Sequence, residues 1–290
     1  MHANAFFTIG KIHIVCDDYA TAGHVANSVT DKRMAYAVVS DGCSSSANSD
    51  FGARLLTVSA VHHLSHPFFS KALMYNMILS AEDMLKAMPS SFLGPSVLDA
   101  TLMLARQEES DKVRTIINGD GFVLARRRDG IVECYNVDFE NMPPYLSYII
   151  YKEKGETYRR HICDFNKAKI VHKREFLDGN TITDTNESVW LAEKEREDQD
   201  PLFSWSLDEW EFRAATHDLI ILATDGINTF NNADGNPVPI GSVIKELTNI
   251  KTFNGEFMVR RMKSFLNKFC TTNGWQHYDD IGVAAIHLDM

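Results

Sequence analysis

With 290 residues, 44% of them hydrophobic, the chain is long enough to bury one large core, in one domain or two. Its formal charge of −10 excludes a general nucleic-acid or anionic-membrane binder, since either needs a positive face. The five cysteines include no Cys-x-x-Cys pair, so they give no zinc ribbon or disulfide framework, and with neither a signal-peptide pattern nor ~20 consecutive apolar residues the expectation is a soluble cytoplasmic protein.

Residues 5–9 and 11–16 are apolar and β-branched and read as a strand, or a strand pair broken at Gly10. The second run ends in Asp17 and Asp18. Adjacent carboxylates on an extended chain point to opposite faces, so one reaches a given ion while the other supports it; a solvated turn explains the pair equally well. After a polar hairpin region at 21–32, Met34-Ala35-Tyr36-Ala37-Val38-Val39 predicts a buried strand that runs into Ser40-Asp41-Gly42 and a loop of small residues. The Asp41 carboxylate then sits at a strand end beside a glycine, an arrangement suited to a bound cation or phosphate.

Asp-Gly is also a very common turn dipeptide, so the pair alone decides nothing. Repetition adds the weight: Ile116-Ile117-Asn118-Gly119-Asp120-Gly121 and Ile220-Ile221-Leu222-Ala223-Thr224-Asp225-Gly226 have the same construction. Three strands that deliver acids to loops look like one site.

Helices are predicted over 51–63, with Ser49 or Asp50 as cap, and over 70–87, where Leu73, Met77, Ile78, Met84 and Leu85 form a core-facing stripe. His62, His63 and His66 lack the further ligand a zinc site needs and read as surface or helix-end residues. Short strands at 99–105, 112–117, 122–126 and 131–137 read as an antiparallel meander, which needs a helical layer to cover it. Residues 140–216 are less regular: a Tyr-rich strand at 145–151, a basic segment at 167–174, a charged run at 193–200 and the aromatics Phe203, Trp205, Trp210 and Phe212. They read as an insertion or lid on the same domain, with an aromatic recognition surface as the other reading. Helices at 237–249 and 256–269 precede Asp279-Asp280 and a closing strand at 281–286.

Taken in order, Cys16-Asp17-Asp18, Ser40-Asp41-Gly42 leading into Gly52-Ala53-Arg54, Gly119-Asp120-Gly121, Thr224-Asp225-Gly226 and Asp279-Asp280 resemble the metal-dependent Ser/Thr protein phosphatases of type 2C (PPM family), closest to their divergent bacterial branch. The resemblance spans Asp17 to Ile286. It implies an α+β fold, a four-layer α-β-β-α sandwich of two mostly antiparallel sheets flanked by helices, in a single phosphatase-like domain over 1–290 with the insertion at about 140–216. It further implies that Asp41 bridges two divalent cations and that the Gly42 carbonyl helps hold one of them, while Asp225 and Asp279 complete the shell of the other. Asp17 and Asp18 stand where the family has a Glu or Gln beside an Asp, Asp280 takes the place of the Asn or Asp next to the ligand, and Asp120 matches the acid used for a third, looser ion.

Such hard oxygen donors suit Mn²⁺ or Mg²⁺ and not Zn²⁺. Two ions ~3.5–4 Å apart activate a water for direct in-line attack on a phosphomonoester, with no protein nucleophile. The implied substrates are phospho-Ser/Thr proteins and the implied counterpart is a Ser/Thr kinase. Cys16 and Cys43 flank acids, but no Cys-x5-Arg loop is present, so they read as fillers. The chain departs from the family in placing His13 where an Arg grips the substrate phosphate, with Arg33 or Arg54 as candidate substitutes. It has Cys43-Ser44-Ser45-Ser46 in place of a glycine-rich loop and Gly282 in place of a Ser or Thr. These departures keep open a catalytically silent module that binds phosphoproteins or scaffolds a regulatory complex, and a plain interaction domain using the aromatic segment.

Overall fold

The structure, a computed structural model, describes residues 1–89, 94–191 and 206–289. The chain opens with β1 (His2–Thr8), β2 (Tyr19–Ala26) and β3 (Arg33–Ser40), followed by helices α1 (Ser49–His63) and α2 (Lys71–Lys86). The predicted meander is present as β4 (Leu102–Glu109), β5 (Lys112–Asn118), β6 (Gly121–Arg127) and β7 (Val132–Asp138). Helices α3 (Ser147–Ile150) and α4 (Lys152–Asp164) come next, then β8 (Ala168–Leu177), β9 (Asn180–Trp190) and β10 (Leu207–Arg213). Last come β11 (His217–Ala223), β12 (Phe230–Asn231), α5 (Ile240–Thr248), α6 (Phe257–Ser264), β13 (Gln276–His277) and β14 (Ile281–His287). A π-helical turn, Phe265–Cys270, extends α6.

One sheet runs β1-β14-β11-β6-β7-β8-β9 and the other β10-β5-β4-β3-β2, with antiparallel pairing in both. Their central strands are buried on both faces, which is why they read as unbroken apolar runs and not as alternating ones. In β3, Ala35, Ala37 and Val39 face the opposing sheet, while Tyr36 and Val38 meet α1 and α2. In β11, Ile220 and Leu222 point inward, and Leu219, Ile221 and Ala223 meet α5 and α6. β14 divides likewise, with Ala284 and Ile286 inward and Val283 and Ala285 outward. The result is the α-β-β-α sandwich that the motif order implies.

Four local expectations are corrected. Residues 11–16 form a loop, with Ile14 97% exposed, because the backbone of this segment and its flanks bonds to the distant residues 277–280 in place of regular strand pairing. The polar stretch at 21–32 supplies β2, whose register pairs Tyr19 with Ser40 and Ala26 with Arg33. The tyrosine-rich 145–151 stretch is helical, its backbone closing bonds such as Tyr148 N to Tyr145 O, so that its rings pack on α4. The first residue outside α1 is Asn48, in the left-handed region at φ 61°; Ser49 already belongs to the helix.

The 140–216 segment is also more regular than its composition indicates. β8 and β9 extend one sheet and β10 the other. Trp210 and Phe212 pack on Tyr135 at 5.0 and 6.1 Å between ring centroids, Phe212 buried in the sandwich and Trp210 half-buried against it. The charged run at 193–200, Phe203, Trp205 and most of the loop between Pro89 and Pro95 lie outside the described residues.

Candidate metal centre

The acids converge because the strands that carry them end on the same side of the two sheets. Asp41 follows β3, Asp225 follows β11 by two residues, Asp120 occupies the β5–β6 turn, Asp18 immediately precedes β2, and Asp280 immediately precedes β14. Register keeps these ends level: Ala223 pairs with both Phe122 and Val283, and Tyr19 with Ser40. The Asp120 turn is made by Gly119 and Gly121 at φ 90° and 144°, values that residues with a Cβ rarely adopt.

His13, Asp17, Asp41, Gly42, Asp120, Asp225, Asp279 and Asp280 all line one cleft of about 250 Å³. Asp18 lies beneath it, 2% exposed, with its carboxylate in hydrogen-bond contact with Asp41 and accepting the Thr224 hydroxyl at 2.6 Å. Each predicted site residue is therefore at this one place, Asp18 below the cleft and the others on its wall. Arg33 and Arg54 are not: Arg33 contacts His24, and Arg54 is paired with Asp50 at 2.9 Å. Among the described residues, His13 is the one basic side chain on the cleft wall.

Two of the acids hold the site together. Asp280, 2% exposed, accepts the backbone N–H of Gly10 on Oδ1 and that of Asp17 on Oδ2, both at 2.6 Å. His13 sits over the same pair, with Nδ1 3.0 Å from Asp280 and Nε2 3.4 Å from Asp279. His13, Asp17 and Asp280 bring ligand-type atoms within 4.8 Å of one another. A side chain at position 10 would strike the Asp279 carbonyl carbon at 2.4 Å, so only glycine lets the 10–17 loop approach this closely.

Sequence reasoning missed three supporting residues. Thr101 grips the Asp41 backbone from both sides, accepting its N–H at 3.0 Å and donating to its carbonyl at 2.8 Å. Thr224, visible in its motif but given no role there, relays Gly282 to Asp18 by accepting the Gly282 N–H at 2.9 Å. Asp99 is 5% exposed; its carboxylate binds Ser46, Ser147 and Lys154, and its carbonyl accepts the Cys43 N–H. The only signal for Asp99 in sequence is an acid inside an apolar run.

So many carboxylates around one imidazole strain one another's ionisation. Burial, then the charges of Asp18 and Asp225, hold Asp41 well above the usual carboxylate range. Burial also lifts Asp18 to about 8, against the bonds from Thr224 and Asp41 and with help from the charges of Asp225 and Asp280. Asp120 rises to about 8 through burial and the charge of Asp225. Asp225 opens onto the cleft, yet the protein packed around its other sides and the charge of Asp279 raise it to about 6. For His13, burial pulls downward, but the contact with Asp280 and the charges of Asp280, Asp279 and Asp17 outweigh it and raise its pKa. A divalent cation would relieve this crowding directly, and the donor set of carboxylates with a glycine backbone beside them fits a hard ion such as Mn²⁺ or Mg²⁺.

Paired antiparallel sheets between helices, with a carboxylate cleft at one end, define the type 2C phosphatase class of fold. The family described as Protein phosphatase 2C matches residues 11–138 of the chain. A bacterial serine phosphatase bearing a point substitution superposes with a TM-score of 0.53 at 12% identity, covering 100% of this chain and 98% of its own. The serine/threonine phosphatase Stp1 from Staphylococcus aureus gives 0.51 at 12% identity over 100% and 96%. The phosphatase domain of SpoIIE, a cell fate determinant of Bacillus subtilis, gives 0.50 at 12% identity over 99% of this chain and 63% of that one. At such identities the likeness to these structures is one of fold, and no curated protein matches the sequence. The chain thus resembles the type 2C phosphatase family over residues 11–138 and shares the fold of these bacterial phosphatases along its length.

Proposed function

We propose that the protein is a metal-dependent phosphomonoester hydrolase acting on phosphoserine and phosphothreonine in proteins. The observation that carries this reading is the convergence of Asp17, Asp41, Asp120, Asp225, Asp279 and Asp280 on one cleft whose single basic lining residue, among those described, is His13. In this reading Asp41, the Gly42 carbonyl, Asp17, Asp225 and Asp279 hold two cations, Mn²⁺ or Mg²⁺, and Asp120 serves a third. When bound, the ions supply a water activated for in-line attack and neutralise the phosphoryl oxygens.

The remaining roles belong to the chain's own residues. Thr101 fixes the Asp41 backbone, so the bridging carboxylate leaves β3 in one direction. Asp18, held by Thr224, orients the Asp41 carboxylate from below. Asp280 fixes the 10–17 loop and holds His13 through Nδ1, leaving Nε2, which meets Asp279 only loosely at 3.4 Å, to donate to a phosphate oxygen of the substrate. This reading needs no cysteine: all five are free of disulfides, and burial pushes the Cys16 thiol up to about 12. Burial also acts against the Cys43 thiolate, but hydrogen bonds with Ser45, Tyr145 and Ser46 lower its pKa without giving it a role in attack by water. In the described residues no helix is long and apolar enough to cross a membrane, and a phosphoprotein partner and its Ser/Thr kinase in the cytoplasm complete the proposal.

The test is phosphate release from a phosphothreonine peptide by the purified protein with Mn²⁺, with Mg²⁺ and with EDTA. Turnover with either ion that EDTA abolishes supports the reading; absence of turnover with both ions sinks it. One observation favours a silent phosphoprotein-binding relative, namely His13 in the position of a phosphate-gripping Arg. Peptide binding in the presence of Mn²⁺ without any phosphate release would establish that second reading.

A further inference from the structure

We infer that a second cavity, opening beside the acidic cleft, is a subsite for an apolar side chain of the phosphoprotein substrate, taken from the residue next to the phosphorylated one or the one beyond. This rests on the phosphatase reading and adds a specificity determinant to it. The cavity measures about 540 Å³, roughly twice the acidic cleft at about 250 Å³. The two share the lining residues Cys43, Ser45, Asn141, Pro143 and Tyr145, so a substrate seated in the cleft has the cavity directly alongside. An extended peptide advances ~3.3–3.6 Å per residue, which brings the next side chains over that shared wall.

The walls set the chemistry. Tyr145, Tyr148 and Tyr158 form a chain of ring contacts at 5.4 and 5.2 Å between centroids, and Met142 and Pro143 continue the apolar surface. The cation on this wall, Lys154, is already neutralised: its ammonium lies 2.5 Å from Asp99 and sits over the Tyr148 ring. It therefore recruits no acidic side chain. Glu153 and His161 also line the cavity but are exposed to solvent, so the aromatic and thioether part of the wall is what favours Leu, Met or Phe.

The cavity is also built in fixed relation to the acids. Asp99 accepts from Ser147 and Lys154 on the cavity side and from Ser46 and the Cys43 backbone on the cleft side. The Tyr158 hydroxyl donates to the Met142 carbonyl at 3.1 Å and closes the wall. A wall held this way can discriminate, because its side chains need no reordering when a ligand enters.

The experiment compares phosphothreonine peptides carrying Leu, Phe, Ala or Glu at the two positions on either side, measured as kcat/KM and as binding by fluorescence anisotropy. It uses the Mn²⁺-loaded wild type and Thr157→Trp. Thr157 is exposed on α4 and lines the cavity, so the indole fills the space without touching the acids. p-Nitrophenyl phosphate, which carries no flanking residue, reports the acidic cleft. The expected result is at least a tenfold preference for Leu or Phe over Ala and Glu at one flanking position. Thr157→Trp should abolish it while leaving p-nitrophenyl phosphate turnover within twofold. A wild type that hydrolyses p-nitrophenyl phosphate without flanking preference, or a preference that survives Thr157→Trp, overturns the subsite and leaves the phosphatase reading intact. Loss of both small-substrate turnover and phosphopeptide binding in the wild type overturns the two together.

Discussion

The Asp280 carboxylate accepts the backbone N–H of Asp17 at 2.6 Å, joining residues 263 positions apart in the chain. Its other oxygen takes the Gly10 N–H, so one side chain at the start of β14 determines where the loop carrying His13 and Asp17 lies. Replacing Asp280 with Ala orphans both donors, and each unmet buried group costs about 1–3 kcal/mol. Asp280→Ala should lower stability by roughly 2–4 kcal/mol, and Asp280→Asn, which keeps one acceptor oxygen, by less. Chemical denaturation measures both, and equal stability of all three proteins would refute the clamp.

Asp99 performs the equivalent service for the loop after Asp41. Its carboxylate collects donors from Ser46, Ser147 and Lys154. Asp99→Ala should therefore destabilise the fold by about 2–3 kcal/mol and raise KM for peptides more than for p-nitrophenyl phosphate, since the wall that peptides meet is the part set adrift. Equal effects on both substrates would show that Asp99 does not couple the two regions.

The raised carboxylate pKa values fix a sign for the metal-free protein. A group whose folded pKa lies above its unfolded value contributes stability that is complete below the unfolded pKa and is lost as pH rises through the folded one. For Asp225 that loss is complete near pH 6, and for Asp18 and Asp120 near pH 8. With EDTA the melting temperature should fall between pH 5 and pH 8, and saturating Mn²⁺ should raise it by more at pH 8 than at pH 5. A melting temperature that climbs toward pH 8 in EDTA and ignores Mn²⁺ would contradict the site.

His13 offers an imidazole where a permanent guanidinium would grip phosphate more firmly. His13→Arg should lower KM for p-nitrophenyl phosphate several-fold at pH 8, and His13→Ala should raise it, with smaller changes in kcat. KM values that match across the three proteins would remove His13 from the phosphate contact.

How much of this was legible in the sequence depended on the range of the interactions involved. The acidic strand ends could be read because Val38-Val39 and Ile220-Ile221-Leu222 are local signals of strands buried on both faces. Residues 11–16 carry the same β-branched signature and were misread, because what holds them is a carboxylate from the far end of the chain. The Tyr145 to Tyr151 stretch failed for a related reason: its aromatics suit a strand by propensity, and packing on α4 overrides that preference. Asp99 and Thr224 act through partners tens to hundreds of residues away, so local pattern assigned them no function.

Asp41 is the carboxylate on which the proposed metal centre depends most directly. Phosphate release from a phosphothreonine peptide should be compared for wild type, Asp41→Asn and Asp225→Asn at saturating Mn²⁺, with folding of each checked by its melting temperature. The expected result is metal-dependent turnover by the wild type and a fall of about a hundredfold or more in each variant, equivalent to ~3 kcal/mol of lost transition-state stabilisation. Folded variants that retain wild-type turnover would contradict a metal centre built on these carboxylates.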